Sequence, residues 1–339
     1  MKKKLLILGS IVIGIIAFLL ILKSVPLNEV WTSLKNAKPQ HVIGYIIVSI
    51  GIMSAHTWRW KIVTSTQKLN IPFQKLLAYR IVGYGVSYLT PSAKLGGEPV
   101  RAALLTKHDL EFHEALSSVI IDKTIDIAAC AVFFFIGVIT LLFQFALPHE
   151  TETLLLVFAI VFLTLMILLY KRLTSGNSIV EPICKVLGLT KLKGFQKSKQ
   201  KIRSFEDLLV KFFKEDKTDF LITIVISGLT WILMFLEYKF VGLMLGINLP
   251  FIAIFLIVCF VGVAFVVPIP MAVGSLEASQ LIAFSIAGLK TTSGLGLSLI
   301  VRVRDLLWSL LGIILLSYYG LNIKSTMKKL YNNSEKTEK

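Results

Sequence analysis

Residues 90–101 read TPSAKLGGEPVR and residues 268–277 read PIPMAVGSLE. Each stretch interrupts an apolar chain with proline, then glycine, then a glutamate seven positions after a proline: Pro91 to Glu98, and Pro270 to Glu277. Proline lacks an N–H donor and clashes with the preceding turn, so Pro91, Pro268 and Pro270 are expected to end helices. Gly96, Gly97 and Gly274 admit close backbone approach and positive φ.

The rest of the chain gives these breaks their setting. Of 339 residues, 55% are hydrophobic and 17% charged, and the mean hydropathy is +0.77, far above a soluble domain. A helix needs about 20 apolar residues to cross a bilayer. The candidate spans are Leu5–Leu22, Ile43–Val63, Ile127–Leu147, Leu154–Tyr170, Phe220–Leu245 and Thr292–Leu321. Barrel strands would instead show alternating segments of about ten residues. The opening MKKKLLILGS has the lysines and apolar core of a signal peptide, but the run is long for one and lacks a cleavage site, so a retained first helix is expected.

A net charge of +16 invites a nucleic-acid partner, but its distribution excludes one. Lys and Arg concentrate at the N-terminus, in 171–217 and in the tail from Lys324, the places that the positive-inside rule assigns to the cytoplasm. Both termini are expected inside the cytoplasmic membrane, and Phe143–Glu152, without Lys or Arg, outside; Lys35 and Lys38 run against this assignment. Cys130, Cys184 and Cys259 give no disulfide framework. No His/Cys group has metal-ligand spacing, so no metal or cofactor is expected.

The chain repeats itself. Asn70-Ile71-Pro72-Phe73 recurs as Asn248-Leu249-Pro250-Phe251, and Trp58-Arg59-Trp60 corresponds to Tyr238-Lys239-Phe240. Asp126 follows Glu98 by 28 residues and Asp305 follows Glu277 by 28. Each half therefore reads as a spanning helix, a short apolar segment, a break, a second short segment and a long helix with charges near its start. Phe73–Leu89 contains Lys75 and Arg80, leaving too short an apolar run to cross, so it reads as one limb of a re-entrant hairpin whose other limb is Val100–Leu110. Phe251–Val267 and Ala278–Leu289 form the second pair by analogy, although Phe251–Val267 is just long enough to span.

The expected fold is an all-α polytopic membrane protein, about six spanning helices plus two re-entrant helical hairpins in an inverted repeat. The single domain 1–339 divides into a first helix and linker (1–40), a first half (41–147), a connecting helix and basic loop (148–217), a second half (218–321) and a basic tail (322–339). Irregular backbone survives in a membrane only where protein buries it or it lines a wet cavity. The helices restarting after each break present unpaired N–H groups suited to an anion, near the midplane where broken helices of inverted repeats meet.

A charge at bilayer depth costs on the order of 3 kcal/mol and is a functional hypothesis by default. Glu98 and Glu277 sit at the expected hairpin tips; Arg101 shares a helix face with Glu98, and Glu277 has no basic neighbour nearby in sequence. Asp122, Lys123 and Asp126 open the helix ending near Leu147, with a cytoplasmic-interface position as the competing reading. Arg302 and Asp305, three apart, are expected to pair, and Arg304 to find Glu277, Asp126 or an anionic ligand; snorkelling to the outer interface competes. Arg59 and Lys61 read as aromatic-belt anchors beside Trp58 and Trp60. His56 reads as an interfacial or packing residue, with a cavity-facing position as the competing reading. From Lys199 to Phe213, Ile202, Phe205, Leu208, Leu209, Phe212 and Phe213 recur at helical spacing, an amphipathic helix for an anionic lipid surface or a cytosolic partner.

PSAKLGGEPVR followed by VIIDKTID, and VPIPMAVGSLE followed by VRVRD, resemble the flippase-like membrane domain of the lysylphosphatidylglycerol synthetase family over nearly the whole chain. The resemblance implies translocation or handling of a phospholipid or polyprenyl-linked lipid. It marks Gly97, Glu98, Arg101, Asp122, Lys123, Asp126, Pro270, Gly274, Glu277 and Arg302 as motif positions. Met271 and Ala272 stand where relatives often carry glycines, so a stiffer second hairpin is expected. No soluble aminoacyl-transfer domain is expected, so the partner is membrane lipid, with a second copy of the chain or a separate lipid-modifying enzyme beside it.

Three functions compete. A lipid translocator would use Glu98 and Glu277 as gates or proton carriers and Arg101, Arg302 and Arg304 for phosphate. A membrane-embedded transferase or hydrolase would need an active-site motif, and no P-loop, HExxH or DxD-like cluster is present. An ion or small-solute transporter is permitted by the repeat alone, since architecture does not fix the substrate; a cavity closed to lipid would favour it.

Overall fold

The structure, a computed structural model, describes residues 31–32, 35–90, 92, 95–144, 149–176, 178, 185, 193–265, 267 and 269–319. All its regular elements are helical: α1 (Pro39–Thr66), α2 (Phe73–Leu89), α3 (Glu98–Leu105), α4 (Phe112–Gln144), α5 (His149–Ser175), α6 (Lys193–Lys214), α7 (Lys217–Met244), α8 (Phe251–Ala264), α9 (Ser275–Ile286) and α10 (Thr291–Tyr318), with 3-10 turns at Thr106–His108 and Pro270–Ala272. The expected span Leu5–Leu22, the tail, Pro91, Pro268 and Cys184 lie outside the described residues.

Among the described residues, four helices are long and apolar enough to cross a membrane: Pro39–Thr66, Phe112–Phe143, Glu152–Ser175 and Lys217–Met244. α10 has the length, 28 residues, but Arg302, Arg304 and Asp305 interrupt its apolar run. The helix expected to open at Asp122 begins at Phe112 instead and runs for 33 residues. Its charged trio therefore lies about three turns inside a continuous helix, which corrects the reading of these residues as a helix start.

The loops repeat in backbone as well as sequence. After α1, Leu69 N–H donates to Thr64 O and Lys68 N–H to Ser65 O, with Lys68 at φ 61°. After α7, Ile247 donates to Gly242 O and Gly246 to Leu243 O, with Gly246 at φ 74°. Both are Schellman closures, and the Asn-x-Pro-Phe that follows each starts the next helix. α2 ends at Leu89 because Pro91 disfavours helical backbone at Thr90, which is extended at φ −99°, ψ 145°.

The second break holds two non-glycine residues in left-handed backbone, Met271 at φ 56° and Ala272 at φ 48°. The break therefore holds, with side-chained residues, a backbone that glycine adopts freely. α9 restarts from Gly274 at φ 84°.

Apolar side chains collect in two cores. One, around Trp60, Leu76, Val82 and Leu104, belongs to the first half; the other, around Tyr238, Leu249, Leu276 and Leu297, belongs to the second. The halves interlock where α1 lies along α7 and α2 lies along α10. The second crossing depends on glycines, as at close helix contacts in membranes. A methyl built on Gly312 would stand 2.5 Å from the Ile81 carbonyl oxygen, and one on Gly85 would stand 2.9 Å from that of Ser309.

α6 is the expected amphipathic helix, and its apolar face turns to the protein. Leu209, Phe212 and Phe213 are buried in the first core, and the helix packs on α4 and α5. Its apolar face is satisfied by the chain itself, while Lys199, Lys201 and Arg203 stay exposed. Lys201 donates to Glu111 at 3.1 Å, and that hydrogen bond holds the Glu111 carboxyl below its ordinary value.

Gly312→Ala is expected to lower stability by about 1–3 kcal/mol through overpacking against backbone that cannot yield. Gly228→Ala, where nothing lies within 4 Å of the new methyl, leaves stability unchanged. Thermal unfolding of the detergent-solubilised protein measures both.

Candidate functional site

Asp122 on α4 is 1% exposed and is the acceptor for three arginines from three other helices. Arg59 Nε of α1 donates to Oδ1 at 2.9 Å; Arg80 Nη1 of α2 and Arg101 Nη2 of α3 donate to Oδ2 at 3.0 and 2.9 Å. Helical spacing puts Asp126 one turn on, where Arg59 reaches it with both terminal nitrogens at 3.2 Å. Arg59 also donates to Ser227 Oγ of α7 at 3.1 Å. The Arg101 guanidinium lies 3.9 Å from the Trp60 ring centroid, a cation–π contact. Arg59 is 1% exposed, so it is an interior residue and not the belt anchor expected from its aromatic neighbours; Trp58, 60% exposed, keeps that position.

Glu98 and Glu277, equivalent in the repeat, meet equivalent cations. Lys123 follows Glu98 by 25 residues and Arg302 follows Glu277 by 25. Lys123 Nζ stands 3.7 Å from Glu98 Oε1, a loose pair, and Glu98 Oε2 has no hydrogen-bond partner among the described residues. Arg302 instead grips Glu277 with two prongs, Nε on Oε1 and Nη2 on Oε2, the latter at 2.7 Å. Its remaining donors take the carbonyls of Met271 at 2.8 Å and Ala272 at 3.1 Å. Glu277 Oε2 also caps its own helix by accepting Gly274 N–H at 2.9 Å. The left-handed backbone of Met271 and Ala272 thus belongs to a closed Glu277–Arg302 clamp. Arg302 does not pair with Asp305, contrary to the spacing argument.

Arg304 resolves differently from expectation too. It donates to Glu237 of α7 and to Asp305 Oδ1, the latter at 2.7 and 2.9 Å. Asp305 Oδ1 also accepts Tyr84 O–H from α2 at 2.6 Å, tying the halves together.

A cavity of about 220 Å³ lies between these groups. Glu98, Arg101, Asp122, Lys123, Asp126, His56 and Arg80 line it from the first half, and Glu237 and Arg304 from the second. Glu277 and Arg302 are not among its lining residues. Gly96 and Gly97 precede α3 at its edge, and a methyl on Gly97 would collide with the Gly83 carbonyl oxygen. Pro270, 3-10 turn and Ala272 pack against α2, where Ser87, Tyr88 and Thr90 of the first break meet Phe265, Val267 and Met271 of the second. The two breaks are therefore neighbours.

The sequence reading missed Arg80 and Glu237. Arg80 enters the sequence argument only as a charge that shortens a span, and the signal for Glu237 is a carboxylate inside the run Phe220–Leu245. Tyr84 carried no signal, since only the α2–α10 packing brings it to Asp305.

Removing one partner of a buried ion pair costs about 3–5 kcal/mol because the other charge is stranded. Asp122→Asn strands the Arg80 and Arg101 guanidiniums, Arg59 keeping Asp126, and is expected to abolish accumulation of folded protein. Lys123→Gln, at a pair 3.7 Å apart and open to the cavity, is expected to cost under about 1 kcal/mol. Size-exclusion profiles and thermal melts of the purified variants check both.

Residues 6–312 match the family model described as the lysylphosphatidylglycerol synthase TM region. The chain is 24% identical over 336 residues to a UPF0104 membrane protein of Methanothermobacter thermautotrophicus, covering 94% of this chain and 96% of the relative. It is 25% identical over 324 residues to a UPF0104 membrane protein of Pyrococcus horikoshii (89% and 92% covered), and 25% over 328 residues to one of Methanocaldococcus jannaschii (92% and 95%). With its helices, its two breaks and its charged motifs inside the matched span, the chain belongs to the family of the lysylphosphatidylglycerol synthase transmembrane region.

Proposed function

We propose that this protein moves a phosphate-bearing lipid, an anionic phospholipid or a polyprenyl-linked lipid, between the leaflets of the cytoplasmic membrane. Membership of the lysylphosphatidylglycerol synthase transmembrane family sets a lipid context. The observation that carries the reading is the charged cavity: one wall from each half, beside two adjoining helix breaks. In this reading the halves 41–147 and 218–321 are inverted, α2–α3 and α8–α9 are re-entrant hairpins, six helices span, and both termini are cytoplasmic.

Roles follow from the pairing. Arg80, Arg101 and Lys123 form the phosphate wall, Lys123 being least committed to a carboxylate and Arg101 Nε having no hydrogen-bond partner among the described residues. Glu98 is the moving gate, its pair with Lys123 loose and one oxygen unpartnered. Glu277 and Arg302 hold the second break rigid and do not touch the lipid, and Asp122, Asp126 and Asp305 position the arginines. Arg304, already facing Glu237 and Asp305, balances the second wall instead of binding phosphate.

The test is leaflet exchange in proteoliposomes, read by dithionite quenching of fluorescent phosphatidylglycerol and of a fluorescent polyprenyl phosphate. The protein is expected to accelerate loss of at least one probe. Glu98→Gln and Lys123→Gln are expected to slow it at least tenfold while eluting as wild type on size exclusion. Rates equal to protein-free vesicles for both probes overturn the proposal.

A further inference from the structure

The charged cavity has an apolar neighbour. A groove of about 890 Å³ runs between α1 and α10, within the roughly 300–1,000 Å³ range of small-ligand sites. Ile46 and Ile50 of α1 and Val303, Leu307 and Leu311 of α10 line it, each more than a third exposed. Ser49, Arg304 and Trp308 line both spaces. At that seam Trp308 Nε1–H donates to Ser49 Oγ at 3.1 Å, bridging α10 to α1. Within one residue's width the lining changes from hydrocarbon to ion pairs.

We propose that this groove is a binding site for the hydrocarbon chain of a lipid whose head group occupies the charged cavity, with Trp308 as the positioning residue at the junction. The inference deepens the function proposed above and rests on it for the identity of the head group. Three features select this occupant. The groove adjoins the cavity across three shared residues, so one amphiphile lying across the seam fills both. Its walls away from the seam are mostly aliphatic, with Trp31 and Tyr45 as the aromatic members, so they offer a polar solute little. And indole is amphipathic, with a ring for the chain and an N–H for the polar side, the chemistry needed where a glycerol or first isoprenoid carbon would sit. The Ser49–Trp308 bridge closes the seam when no lipid crosses it; a lipid entering sideways takes the place of that hydrogen bond.

The full-length protein, reconstituted in mixed phosphatidylglycerol and phosphatidylethanolamine vesicles, carries a p-benzoylphenylalanine photocrosslinker in place of Leu307. A second sample carries it in place of Leu165, an outward α5 position that is 54% exposed and reports bulk lipid. Mass spectrometry is expected to show lipid adduct at position 307 at least fivefold above position 165. Ile50→Trp, which fills the groove, brings it to the bulk level, and Trp308→Phe, which removes the indole N–H at the junction, lowers it at least twofold. Equal adducts at 307 and 165, or crosslinks from 307 to residues 1–30 of the same chain in place of lipid, overturn the groove proposal. Leaflet exchange is measured on the same samples. Exchange that persists without adduct enrichment sinks the groove and spares translocation; enrichment without exchange spares the groove and sinks translocation.

Discussion

One carboxylate organises the first half. Asp122 accepts from arginines on α1, α2 and α3 while itself belonging to α4, so four helices converge on two oxygen atoms. α3 has eight residues, too few to hold a helix by its own hydrogen bonds. It persists because Leu104 and Leu105 are buried and because Arg101 is held between Asp122 and the Trp60 ring. Apolar contact alone would let so short a segment slide or roll. An arginine whose terminal nitrogen must meet a buried carboxylate cannot do so without stranding a charge. The arrangement that is costly to bury therefore fixes the position of the break and of Glu98 at its edge.

The second half uses the same plan for another purpose. Glu98–Lys123 and Glu277–Arg302 occupy matching sequence positions, yet one is a single loose contact facing a cavity and the other a two-pronged pair that also ties down two carbonyls and a helix N-terminus. The difference follows from the cation. A guanidinium has a planar fork that satisfies a carboxylate and neighbouring carbonyls together; an ammonium is a compact point charge on a flexible stem. The glutamate of one break is thus clamped, while that of the other, on an α3 held in place by Arg101, is adjustable at its side chain alone, an asymmetry that would supply the proposed translocation with a fixed element and a moving one.

Much of this was legible in the residues. The sequence repeat, the breaks and the bounds of the helix Phe73–Leu89 follow from proline chemistry and the spacing of charges, and local rules govern both. What the residues concealed was partner choice. The spacing of Arg302 and Asp305 pointed to a pair that the fold does not make, because Glu277, 25 positions away, offers a bidentate carboxylate where the break turns back. Arg59 looked like a belt anchor because its neighbours are tryptophans, but a helix turns about 100° per residue, so Trp58 faces outward while Arg59 faces Asp122. The amphipathic pattern of α6 was correctly periodic and still did not name its partner, since an apolar face packs equally well on lipid or on α4 and α5.

The charge balance of the cavity bears on the proposed passage of a head group. Of the Asp, Glu, Lys and Arg that line it, the first half brings three cations (Arg80, Arg101, Lys123) against three carboxylates (Glu98, Asp122, Asp126), and the second brings Arg304 against Glu237. Each wall, and the lining as a whole, is neutral. A site with net positive charge would hold a phosphate tightly and release it slowly, whereas passage requires binding strong enough for entry and weak enough for exit. In a neutral site a phosphate gains cations only by drawing them from carboxylates already there. The exchange of partners keeps both the gain on entry and the cost of departure small.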